Sequence, residues 1–164
     1  MTITLTPAPG IEITVEKAVA ARLLEQLNAA FAGDETPSSA VLPDNHPLWD
    51  RRSGGAGHDG PEWADGDGDL AEAFYDGLGG KAKVFFDLLL DRPGRQLSVD
   101  DLIEASSGVF TSSFSIAGAI NGLRLPRAVA ERRYPFAWWE GTPTRYAVKP
   151  SVAQLFNAAR AKSS

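Results

Sequence analysis

The sequence has no cysteine, one methionine and only two histidines among its 164 residues. The lack of cysteine excludes structural disulfides, cysteine-ligated zinc and thiol chemistry, and fits a reducing compartment. No apolar run approaches the roughly 18 residues a membrane helix needs, and nothing near Met1 has the basic start and apolar stretch of a signal peptide, so a cytoplasmic protein is expected. Enzyme motifs are also missing: there is no phosphate-binding loop, dinucleotide fingerprint, HExxH or GxSxG. Neither a cofactor nor catalysis is indicated. His46 and His58 lie among Asp44, Asp59, Asp65, Asp67 and Asp69, but the DGDGD run lacks the glycine placement and distant glutamate of a calcium loop, and aspartate with glycine is also the chemistry of solvated turns. No metal site is expected.

What the chain does have is an uneven distribution of charge. The net charge is −5, which by itself disfavours nucleic acid. Residues 1–70 carry four basic side chains (Lys17, Arg22, Arg51, Arg52) against twelve acidic ones, whereas residues 105–164 carry eight basic against only Glu131 and Glu140. The C-terminal end therefore offers a basic surface on an acidic protein, unless its cations are simply solvated or paired with the acidic half.

Three regions follow from the patterning. Residues 1–33 read as an extension: alternation at Ile3, Leu5, Ile11, Ile13 and Val15 predicts a hairpin or one bent strand. The spacing Val15, Val19, Leu23, Leu27, Phe31 then predicts an amphipathic helix with Thr14 as cap and Gly33 as stop. This strand and helix could serve as a dimerisation element. Residues 34–68 read as a linker rich in proline, glycine and aspartate. Its two tryptophans, Trp49 and Trp63, are expected to lie against the protein's own surface or a partner's.

Residues 69–164 have the rhythm of packed elements. Leu70, Phe74 and Leu78 begin one helix; Ala82, Phe85, Phe86 and Leu89 form a stronger one, ended by the turn Asp91–Gly94. A short helix starts at Ser98 with Asp101 three residues on. After a turn at 106–108, a helix from Ser112 or Ser113 is expected to direct Phe114, Ala117, Ile120 and Leu123 inward and to kink or restart at Pro126. Residues 134–139 and 145–148, joined across Glu140–Pro143, read as a hairpin, and Pro150 opens a closing helix. The predicted class is α+β, mainly helical: a winged helix-turn-helix domain with an N-terminal strand and amphipathic helix extension.

The runs KAKVFFDLLLDRPGRQLSVDDLIEASSG and SIAGAINGLRLPRAVAERRYPFAWWEGTPTRYAVKPSVAQLFNAAR, within 81–160, resemble small winged-helix proteins of uncharacterised function from actinobacteria. That resemblance implies an architecture for about half the chain and no activity.

In a winged helix the third helix enters the major groove and the wing touches adjacent backbone. On this reading the DNA-binding residues are Ser112, Ser113 and Ser115 at the start of that helix, Asn121 further along it, and the cations Arg124, Arg127, Arg132, Arg133, Arg145 and Lys149. Each has an ordinary structural use as well: the hydroxyls as helix caps, Asn121 as a surface amide, the cations as partners of acidic loops that would mask a basic face. The function expected first is a DNA-binding transcription regulator with duplex DNA as partner and a homodimer as its assembly. The alternative is a winged-helix protein-interaction module, using Trp49, Trp63 or a smooth helix face at Gly118 and Gly122. One of Trp138 and Trp139 should face the core and the other the surface, since neighbours on a strand alternate.

Overall fold

A computed structural model describes residues 2–8, 11–16, 40–54 and 58–163. The chain divides into two units, 1–37 and 38–164. In the first, strands β1 (Thr2–Ala8) and β2 (Ile11–Glu16) pair antiparallel, with Ile3 opposite Val15 and Leu5 opposite Ile13. The helix expected beyond Val15, with its stop at Gly33, lies outside the described residues.

The second unit is α+β and mainly helical. Its helices are α1 (Gly68–Asp76), α2 (Gly80–Leu90), α3 (Val99–Ala105), α4 (Ser113–Asn121), α5 (Arg124–Ala130) and α6 (Pro150–Lys162). Strands β3 (Leu97–Ser98), β4 (Ala137–Trp139) and β5 (Arg145–Ala147) form an antiparallel sheet in the order β3-β5-β4. No helix among the described residues is long and apolar enough to cross a membrane.

Aromatic residues at helical spacing build the core. Phe74 of α1, Phe86 of α2 and Phe156 of α6 meet edge to face, with ring centroids 4.9–6.0 Å apart, a favoured geometry because ring edges are positive and faces negative. Ser98 caps α3: its hydroxyl accepts from the Asp101 amide while the Asp101 carboxylate accepts from the Ser98 amide, satisfying two otherwise orphaned donors.

The structure corrects the reading of the third helix in two respects. It is interrupted at Gly122 and Leu123, and α5 begins at Arg124, two residues before the expected restart, with Pro126 already in its first turn, where the missing amide costs nothing. Its inward residues are Ile116, Ala119 and, as expected, Leu123, with Ile120 partly buried against the core, whereas Phe114 is 87% exposed and Ala117 is exposed too. The helix is rotated from the expected stripe because α2 takes the small side: a Cβ at Gly122 would stand 3.0 Å from that of Ala82.

Residues 40–54 and 58–67, inside the segment read as a linker, belong to the same compact unit as the helices. The sheet explains why. Trp138 and Tyr146 pack on the main core, while Ala137, Trp139 and Ala147 point the other way, where Leu42 and Trp49 cover them. The two tryptophans of β4 do alternate, but both are half-buried, and Trp139 packs 5.5 Å from Trp49 and donates to the Leu48 carbonyl. A sheet apolar on both faces needs a second layer.

Candidate interaction surface and charged cleft

The serines at the start of α4 divide by role. Ser112 is the N-cap, its hydroxyl accepting from the Ser115 amide at 3.3 Å. The Ser115 hydroxyl accepts from the amides of Thr111 and Ser112, at 3.1 and 3.2 Å, and donates to the Ser112 carbonyl at 2.6 Å. Both are occupied by local capping. Ser113 and Asn121 are exposed and project with Phe114, Ala117 and Gly118. A Cβ at Gly118 would meet nothing, unlike one at Gly122, so the two glycines do not make one smooth free face.

The basic candidates part in the same way, and four of them converge on the segment 59–67. Arg132 grips the Asp67 carboxylate through two nitrogens, at 2.8 and 3.0 Å. That pairing, aided by the Ala64 amide, holds the Asp67 carboxyl below the usual carboxylate range. Arg133 donates to Glu62 at 2.9 Å and twice to the Gly60 carbonyl. Lys149 stands 3.6 Å from Glu62, and Arg127 donates to the Asp59 carbonyl while lying over the Tyr134 ring. The acidic stretch thus neutralises cations that the charge count alone assigned to a DNA face. Arg124 is exposed and Arg145 half-buried, and neither pairs with a carboxylate among the described residues.

Trp49 and Trp63 are also closed to a partner. They are 1% and 7% exposed, and their ring N–H groups donate at 2.8 Å to the carbonyls of Pro43 and Arg133. Buried tryptophan with its one donor satisfied is packing, and the linker composition had suggested more freedom than these residues have.

Sequence reasoning missed the cleft these segments enclose. Arg52, Arg133 and Lys149 all face the single carboxylate of Glu62. His58 lies in the same cleft, its ring 4.1 Å from that of Trp138, with neither ring nitrogen hydrogen-bonded or exposed. Burial, then the charges of Arg52, Arg133 and Arg127, lowers its pKa to about 4. The only signal in the sequence was the surplus of acid before residue 70 and of base after residue 105, which says that the halves attract but not which groups meet. Among the described residues, no three of the histidines and carboxylates gather as metal ligands.

Residues 68–163 match a family of unknown function, DUF6416, and the chain belongs to that family. No curated protein and no solved structure matches the chain.

Proposed function

We propose that the C-terminal unit is a winged helix-turn-helix interaction module whose third helix, α4, docks on protein, and that its partner is a second copy of this chain. The succession α2, β3, α3, α4, α5, β4, β5, with the sheet order β3-β5-β4 and the turn between β4 and β5 as wing, supports the architecture, the short α5 being an addition between the third helix and the wing. One observation carries the choice of partner. From Thr111 to Leu123 there is no ionisable side chain, and Phe114 stands 87% exposed at the head of α4. Phosphate recognition needs cations, whereas the centres of protein interfaces are depleted of charge and enriched in aromatic residues.

A twofold contact sets one patch against itself, so in a chain of net charge −5 an uncharged patch meets no like charge across the axis. Ala117 and the open Gly118 let a second helix approach closely.

The second reading is a transcription regulator that docks α4 on duplex DNA, with Ser113 and Asn121 at base edges. The observation favouring it is that Arg124 and Arg145 pair with no carboxylate among the described residues. Both readings use the same helix and exclude one another. Sedimentation equilibrium of the wild type and of Phe114→Asp, beside fluorescence anisotropy with labelled duplex DNA at several salt concentrations, separates them. A dimer that becomes a folded monomer in Phe114→Asp supports the first. A dimer unaffected by that change, or a monomer whose salt-dependent DNA binding falls in Arg124→Ala/Arg145→Ala, overturns it.

A further inference from the structure

The cleft around Glu62 has the composition of a ligand site, and its charge does not balance. Arg52, Arg133 and Lys149 stand 3.9, 2.9 and 3.6 Å from one carboxylate. The cations are half-buried, with side chains 21–26% exposed, whereas the Glu62 side chain is 54% exposed. Three positive groups are thus more sheltered by the fold than the single negative one, which sits at the mouth. One nitrogen each of Arg133, Arg52 and Lys149 faces a common point, while the remaining Arg133 and Arg52 donors anchor to the Gly60 and Trp49 carbonyls; such a convergence of charge recognises a carboxylate, and Glu62 supplies that carboxylate from within the chain.

The walls add a second requirement. Trp49, Trp63, Tyr134 and Phe136 line the cleft. Both indole N–H groups are already committed to backbone carbonyls, so the small part of each buried tryptophan that borders the cleft is ring surface. The His58 nitrogens, buried at the same cleft without a hydrogen-bond partner, are unused polar groups of the kind that folded proteins rarely leave unmet. The space with Glu62 in place is about 40 Å³, enough for about three waters, and any larger occupant requires Glu62 to turn out.

The geometry points to a binding site for a small aromatic carboxylate, whose anionic head displaces Glu62 between Arg52, Arg133 and Lys149 and whose ring lies among the aromatic walls. This site is independent of the α4 surface: it lies at the junction of residues 49–52 and 58–63 with 133–137 and 149, and it stands or falls whether or not the chain dimerises or binds DNA.

The probe is sodium benzoate, titrated into the full chain by calorimetry and by the fluorescence of the nearby tryptophans, with acetate and inorganic phosphate beside it. Saturable binding of benzoate in preference to acetate and phosphate is expected. Removing the competing charge in Glu62→Gln should tighten benzoate binding about tenfold, and Lys149→Met should weaken it about tenfold, as for one charged partner gained or lost in a partly buried site. Thermal stabilisation by benzoate, larger in Glu62→Gln than in the wild type, is a second readout that survives if that variant is partly unfolded without ligand. Two results overturn the site. One is no saturable benzoate binding in either the wild type or Glu62→Gln. The other is equal binding of all three anions, indifferent to both substitutions, which is an adventitious ion only.

Discussion

Gly94 fastens the segment bearing Trp49 to the body of the protein, and replacing it with alanine tests that attachment. Its φ is +73°, and an added Cβ would lie 2.6 Å from the Leu42 carbonyl oxygen and 3.2 Å from the Leu42 nitrogen. The Gly94 carbonyl accepts from the Leu42 amide and its own amide donates to the Val148 carbonyl, both at 2.8 Å. Holding an L-residue left-handed costs about 1 kcal/mol, at the low end for that conformation. The clash is with backbone, which cannot rotate away, so the Leu42 bond must lengthen or break at a further cost of about 1–2 kcal/mol for a buried donor and acceptor. Gly94→Ala should therefore destabilise by about 2–3 kcal/mol. Gly108 is the internal control: its φ is +89° but a Cβ there meets nothing, so Gly108→Ala should cost only the conformational part, about 1 kcal/mol. Alanine's effect on the unfolded chain is common to both variants and cancels. Urea denaturation followed by circular dichroism gives the two free energies, and Trp49 fluorescence should shift to the red in Gly94→Ala alone as the segment lifts. Equal losses in the two variants would refute the claim that the contact with Leu42, rather than the backbone conformation, makes this glycine necessary.

Trp63 packs on Phe74 and Phe156, so Trp63→Ala should cost about 3–5 kcal/mol in the same assay, while Trp63→Phe keeps most of the packing and gives up the bond to the Arg133 carbonyl. Ser112→Ala removes the cap of α4 and should cost about 1 kcal/mol; Ser113→Ala next to it, with an exposed side chain, should leave stability unchanged. The lowered His58 pKa sets a pH dependence. The unfolded chain takes up a proton on this side chain near pH 6.5 and the folded chain only near pH 4. The stability tied to a neutral His58 is therefore fully present above about pH 6.5 and is lost as the pH drops toward 4. In His58→Gln this part of the decline should vanish, as read from thermal melts across that range; an unchanged decline would show that His58 is not the group being protonated.

Much of the second unit is legible in the sequence because its signals are local. A cap, an apolar repeat and a stop lie within one helix length, so α2, α3 and α6 follow from Phe85 with Phe86 and Leu89, from Ser98 with Asp101, and from Pro150 with Phe156. β3 escapes this reasoning: two residues cannot display alternation, and Leu97–Ser98 is a strand only because β5 lies beside it. Phe114 was misassigned for a related reason. The residues from Phe114 to Leu123 are apolar or small on more than one side, so periodicity cannot say which stripe turns inward, and the approach of Ala82 to Gly122 decides it.

The candidate site divides along the same line. The sequence by itself determined the class of fold, the capping role open to the serines around 112, and an acidic first half facing a basic second half, since these depend on neighbours within a few residues or on totals. Only the tertiary structure decided which carboxylate meets which cation. Arg132 finds Asp67 and Arg133 finds Glu62 across some seventy residues of chain, and no local pattern encodes a contact that far apart, because charge pairs are specified by where folding places them and not by their spacing. The same placement turned Trp49 and Trp63 from candidate contacts into core, left Phe114 in solvent, and brought three cations around a single exposed carboxylate.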